Sequence, residues 1–225
     1  MAEAGPAGGR RPFRREGEDK RRDDLIAAAL ALVAEGGPGA ATVRAIALRA
    51  GVTPGLIRHY FATKDDLTRA AYGHVMARMT GAAVAAAAAV PEDDPVGRLA
   101  AFVGANLRPP VLDPRSLSLW AAYLSALGQD AALRAAHEAA YLAFRDRLQA
   151  LIAALPRPAD AARDRREAIA CNALLDGLWI EGASWPEGFG TGELEEIALR
   201  SVGRLLGVDL GRAAHNGMTE EGRTR

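Results

Sequence analysis

Two Asp-Pro pairs, Asp94-Pro95 and Asp113-Pro114, constrain the fold of this chain more than any other feature. An aspartate before a proline starts a helix. The carboxylate accepts amide protons of the first turn, and the proline lacks an amide and has its φ already set for the helix. The same punctuation recurs elsewhere. Thr42 can cap a helix running to Ala50 and stopped by Gly51, and Pro54 opens a short one ending near Phe61. Thr63 with Asp66 makes a capping box for a long helix from Lys64 to about Ala89. Asp130 and Asp160 cap two further long helices that end before Pro156 and Pro186, and a last helix runs from about Glu193 to Leu206, closed by Gly207. Ahead of all these, Leu25, Ile26, Ala29, Leu32 and Val33 recur at helical spacing until Gly36-Gly37-Pro38-Gly39 breaks the pattern. No alternating run of β-branched residues supports a strand. The expected fold is all-α, with about nine helices.

Ala, Leu and Arg dominate the 225 residues and aromatic residues are few, which suits helices packed closely through small side chains. Cys171 is the only cysteine and lies in an apolar run, so it reads as a buried structural thiol. No signal peptide is visible, and the Ala-rich stretch 81–90 is too short and too weakly apolar to span a bilayer, so a cytoplasmic protein without a membrane partner is expected. The formal net charge is zero, but basic residues cluster between Arg10 and Arg22. Such an arm either tracks phosphates or is a solvated tail. The expected division is a disordered basic arm over 1–17, a helix-turn-helix domain over 18–63, a larger helical domain over 64–208, and a disordered tail over 209–225.

The segment 42–64 reads TVRAIALRAGVTPGLIRHYFATK. It holds two short helices joined by a glycine-containing turn, the spacing that sets a second helix across the first. Val43, Ile46, Ala50 and Val52 can form a small core with Ile57 and Phe61. Gly55, Arg58, His59 and Ala62 then face outward, a surface suited to lying in a DNA major groove.

This segment resembles the TetR family of bacterial transcription regulators. The first helix ends in IALRAGV, the second reads TPGLIRHYF, and a lysine opens the next. The resemblance implies that Thr42, Thr53, Tyr60 and Lys64 contact phosphates. It implies that Arg44, Gly55, Arg58 and His59 face base edges or the adjoining backbone. Arg58 is the best candidate for direct readout, since its fork matches O6 and N7 of a guanine. The resemblance also implies a homodimer on a double-stranded operator, with the last two helices of each subunit joined in a four-helix bundle.

In the C-terminal part, Asn172, Asp176, Trp179 and Ala183 share one stripe of a helix, while Ala170, Leu174, Gly177 and Leu178 share the opposite one. The first stripe suits a cavity and the second a partner helix. Leu174, Gly177 and Leu178, with Leu194, Ile197, Val202 and Leu205 of the final helix, are the expected dimer residues. Trp120, Tyr141, Asn172, Asp176 and Trp179 are the expected effector residues. Tyr141 belongs to a stripe with His137, Phe144 and Leu148, and such a stripe is either core or pocket wall. A carboxylate on an apolar helix needs a partner if buried. Arg145 or Arg147 is one candidate for Asp176, and a cationic ligand held also by aromatic faces is the other.

The stretch ALLDGLWIEG, Ala173 to Gly182, resembles the betaine/choline-responsive repressors of the same family, which implies an amine or quaternary ammonium effector. No nucleophile elbow, metal-ligand cluster or phosphate loop is present, so neither an enzyme nor a cofactor is expected. The expected function is a ligand-responsive regulator, most simply a repressor. The alternative is a helical ligand-binding or scaffold protein whose helix-turn-helix no longer works.

Overall fold

The computed structural model describes residues 11–128 and 130–211. Among these, the elements are α1 (Arg11–Gly36), α2 (Val43–Arg49), α3 (Pro54–Tyr60), α4 (Lys64–Ala88), α5 (Pro95–Ala105), α6 (Pro114–Ala126), α7 (Ala131–Ala153), α8 (Ala161–Ser184) and α9 (Glu193–Leu206), with short 3-10 turns at Pro38–Ala40 and Pro186–Gly188. The caps act as their chemistry requires. Asp94 Oδ1 accepts the amide of Gly97 at 2.8 Å, Asp113 that of Arg115 at 3.0 Å, Asp130 that of Leu133 at 2.9 Å and Asp160 that of Arg163 at 2.9 Å. At the start of α4, Thr63 Oγ1 accepts from Asp66 N at 3.0 Å while Asp66 Oδ2 accepts from Thr63 N at 2.9 Å, a reciprocal capping box. No described helix is long and apolar enough to cross a membrane.

Two expectations about the ends change. α1 begins at Arg11, so residues 11–17 of the expected disordered arm are helical, while residues 1–10 lie outside the described residues. At the other end Leu210 is 1% exposed and part of the core, so the tail does not begin at 209; residues 212–225 lie outside the described residues.

The chain divides into two compact units between Tyr72 and Gly73, and α4 contributes to both. In the first unit Leu25, Ile26 and Val33 of α1 are buried together with Ile46 and Ala47 of α2, Ile57 of α3, Phe61 and Leu67. Gly51, at φ 64°, makes the left-handed turn between α2 and α3, a conformation that any Cβ would strain. In the second unit α5 is buried along most of its length, through Leu99, Phe102 and Val103, and α8 lies between α7 and α9.

Small residues set the approach distances there. A Cβ on Gly203 of α9 would sit 2.6 Å from the backbone oxygen of Val208 and 3.4 Å from Leu210 N. Backbone cannot swing away as a side chain can, so Gly203→Ala is expected to cost about 1–3 kcal/mol. Gly81→Ala on α4, where a Cβ meets nothing within 4 Å, is expected to gain roughly 0.5–1 kcal/mol through helix propensity. Thermal unfolding of the two variants beside the wild type checks the opposite signs. Equal effects would mean that α9 relaxes around the added methyl.

Candidate functional site

The first unit presents α3 outward. Ile57 and Phe61 turn inward at 3% and 4% exposure, and the Arg22 guanidinium lies 5.1 Å from the centre of the Phe61 ring. That packing leaves Gly55, Arg58 and His59 exposed, with Thr53 exposed at the N-cap and Tyr60 partly buried edge-on to His59 at 5.3 Å. Thr42 is exposed while its Oγ1 caps α2 by accepting from Ala45 N at 3.1 Å, and Arg44 and Lys64 are exposed as well. The eight expected DNA-facing residues therefore lie on α2, α3 and their caps, and at the first residue of α4.

The electrostatics of this surface are one-sided. Residues 42–64 contain Arg44, Arg49, Arg58 and Lys64 and no acidic residue. Arg49 is committed to Glu35 of α1 through a two-pronged pair at 2.8 and 2.6 Å. Arg44, Arg58 and Lys64 form no ion pair among the described residues. Three of the four cations in this segment are thus left without a carboxylate partner among the described residues.

The second unit contains a cavity of about 70 Å³ lined from four helices and the segment after α5. Trp120 of α6, Tyr141 of α7, and Asn172, Asp176 and Trp179 of α8 all line it. Trp120 and Trp179 meet edge to face at 5.7 Å, and the Trp179 indole N–H donates to Val111 O at 2.9 Å, which fixes the ring. Tyr141 donates its O–H to Asp176 Oδ2 at 3.1 Å, and Asn172 Nδ2 donates to the same oxygen at 2.9 Å. Neither Arg145 nor Arg147 pairs with Asp176. Its hydrogen-bond donors are neutral.

Burial pushes the Asp176 carboxyl above the ordinary carboxylate range, and the bonds from Tyr141 and Asn172, with His137 nearby, offset only part of the shift. Burial, then the charge of Asp176, raises the Tyr141 phenol too, so it stays protonated and able to donate. Cys171 is fully buried and burial pushes its thiol up to about 12, which leaves it unreactive.

Sequence reasoning missed several cavity walls. Met76, Met79 and Thr80 of α4, Asn106 and Val111 after α5, and Leu175 and Ile180 of α8 complete the lining. The α4 residues stand at i, i+3 and i+4, a spacing that marks a shared face once the helix is known to pack there. Phe144 joins Tyr141 at the cavity while Leu148, of the same stripe, is fully buried core.

The expected dimer residues divide. Leu174 and Leu178 are partly buried and Gly177 is exposed on α8, while Ile197 and Leu205 of α9 each keep 38% exposure. Leu194 and Val202 correct the expectation. At 5% and 0% exposure they lie inside the chain's own core, where Leu194 fills the space a Cβ on Gly182 would need. A side chain with no free surface has nothing to offer a second subunit. Ile169, 37% exposed on α8, was not anticipated.

Known proteins resemble both units. Residues 25–71 match the family of bacterial regulatory proteins of the tetR type, and residues 95–207 match the C-terminal family of BetI-type transcriptional repressors. An HTH-type transcriptional regulator, BetI 2, of Chromohalobacter salexigens is 31% identical over 84% of this chain and 90% of its own length. The chain belongs to the TetR family. Within it, the C-terminal unit is of the BetI repressor type, and the protein is a transcriptional regulator rather than an enzyme. The structure of a transcriptional regulator from Pseudomonas aeruginosa PAO1 superposes with a TM-score of 0.75 at 31% identity, covering 91% of this chain and 99% of that one. A transcriptional regulator from Saccharomonospora viridis, solved in complex with choline, shares the fold at a TM-score of 0.64 and 19% identity over 80% of this chain and 94% of its own.

Proposed function

We propose that this TetR-family regulator is a homodimeric repressor that leaves a pseudo-palindromic operator when a small cationic amine enters the cavity beside Asp176. What carries the effector assignment is a carboxylate with no arginine or lysine partner among the described residues, held by neutral donors in a cavity that Trp120, Tyr141 and Trp179 also line. A cation supplies the missing charge, and aromatic faces attract it as well. In the same sense, α3 reads the major groove through Arg58 and His59, while Thr42, Thr53, Tyr60 and Lys64 hold phosphates, with Arg44 and Gly55 close to the DNA. Leu174, Gly177, Leu178, Ile197 and Leu205 supply the contact between subunits. The exposed apolar residues of α8 and α9 favour it.

The coupling runs along α4. That one helix carries Lys64 at its first residue and Met76, Met79 and Thr80 at the cavity wall. In the bound state two recognition helices stand about 34–36 Å apart, one turn of DNA. A ligand that shifts α4 changes that separation, to the extent that it binds the released state more tightly.

Fluorescence anisotropy on DNA from upstream of the protein's own gene, at two salt concentrations and with a panel of amines, tests this. Tight binding that weakens with salt and is released by an amine is expected. Arg58→Ala is expected to cost about 1–3 kcal/mol on the operator and to relax discrimination at one base pair. Unchanged sequence preference in that variant removes Arg58 from the readout. Affinity no better than for random DNA favours the scaffold alternative.

A further inference from the structure

A side chain lining the cavity carries a buried acceptor that no described residue satisfies. Asn172 is 1% exposed, and its amide Nδ2 donates to both Tyr141 Oη at 2.5 Å and Asp176 Oδ2 at 2.9 Å. Its carbonyl Oδ1 has no partner. Asp176 receives both of its hydrogen bonds on Oδ2, which leaves Oδ1 unused. The donors on this wall are meanwhile spent. The Trp179 N–H goes to Val111 O, the Tyr141 O–H to Asp176, and the Asn172 amide to two partners. One helical turn of α8 thus carries two carbonyl or carboxylate oxygens without a hydrogen bond among the described residues, both on side chains that line the cavity, and no free donor of its own.

An unpaired buried acceptor is costly, and an occupant that supplies N–H groups removes that cost. A quaternary ammonium offers only C–H bonds. It answers the charge of Asp176 and the aromatic faces but leaves Asn172 Oδ1 orphaned. We propose that this cavity selects a protonated primary or secondary amine, whose N–H groups bridge Asn172 Oδ1 and Asp176 Oδ1, over the quaternary ammonium of the same skeleton. The selection rests on the cationic-effector reading above and narrows it.

Calorimetric titration of the full-length protein with ethanolamine, N-methylethanolamine, N,N-dimethylethanolamine and choline separates the two claims, because the skeleton and hydroxyl stay constant while N–H groups are replaced. Affinity is expected to fall along the series, with choline weaker than ethanolamine by at least about tenfold. Choline binding as tightly as ethanolamine, or more tightly, overturns the selection and leaves a cationic effector in place. Failure of all four to bind overturns both. Asn172→Ala is expected to shrink the ratio to about threefold or less, and a ratio that stays at the wild-type value removes Asn172 from the recognition. If that variant does not fold, the wild-type series decides alone.

Discussion

Asp176→Asn is expected to melt at a higher temperature than the wild type at neutral pH and to lose amine binding by about a hundredfold. The two effects share one cause. The asparagine carbonyl can still accept from Tyr141 Oη and Asn172 Nδ2, so the hydrogen bonds at 3.1 and 2.9 Å survive while the charge goes. Burial holds the Asp176 carboxyl above its usual range, so the folded chain binds its proton more tightly than the unfolded chain does. Its ionisation is therefore a cost to folding that is absent at pH below the unfolded pKa. That cost grows as pH rises towards the folded one and is complete above it. Relative to wild type, the variant gains nothing in acid and on the order of 1 kcal/mol at neutral pH, about 2–4 °C for a chain of this size. Thermal unfolding in acid and at neutral pH, beside an amine titration, checks both halves. A destabilised variant makes the carboxylate structural, and a variant that binds amines like the wild type moves recognition elsewhere. The gain in stability on losing function is the expected mark of a group retained for a ligand.

The same carboxylate shows what the sequence could and could not disclose. The i, i+4 placement of Asn172 and Asp176, with Trp179 beyond, is enough to set three cavity residues on one stripe of α8, because helical periodicity alone decides which residues share a face. Their partners were another matter. Arg145 and Arg147 were charge-matched candidates, yet the carboxylate is held by a phenol and an amide, since rotation of α7 against α8 decides which of its residues point inward. Periodicity also cannot say which of two apolar faces of α9 meets its own chain. Leu194 and Val202 went to the core and Ile197 and Leu205 to the surface. The helix boundaries were legible for a more local reason. Each cap is a contact within three residues, so its chemistry is complete in the sequence around it. The basic run over 10–22 misled in part because charge reports solvation and not conformation, and residues 11–22 lie within α1.

Arg157→Met is expected to destabilise the C-terminal unit by about 3 kcal/mol, lowering the melting temperature by roughly 6–12 °C. Arg157 lies between α7 and α8, where its Nη2 bonds Asp164 at 3.1 Å and Glu167 more closely, and its Nη1 bonds Glu167 at 3.2 Å and Leu206 O at 3.4 Å. One guanidinium thus ties the α7–α8 connection to the first turns of α8 and to the end of α9. Asp164 is 4% exposed and also pairs with Arg163, at 3.2 Å. The group balances as two arginines against two carboxylates. Methionine keeps much of the side-chain volume but leaves the buried Asp164 and the half-buried Glu167 to one arginine, and an uncompensated buried charge costs more than an intact pair contributes. That difference gives the test its control. Neutralising both acids in the same background, as R157M/D164N/E167Q, is expected to recover most of the loss. If the triple variant stays as unstable as R157M, the loss came from packing or from the bond to Leu206 O, and the charges themselves are minor. Arg157 lies outside the cavity lining, so R157M that remains folded below its transition should still bind the amine that the wild type binds. A change in amine selectivity would instead tie this buried charge group to the cavity.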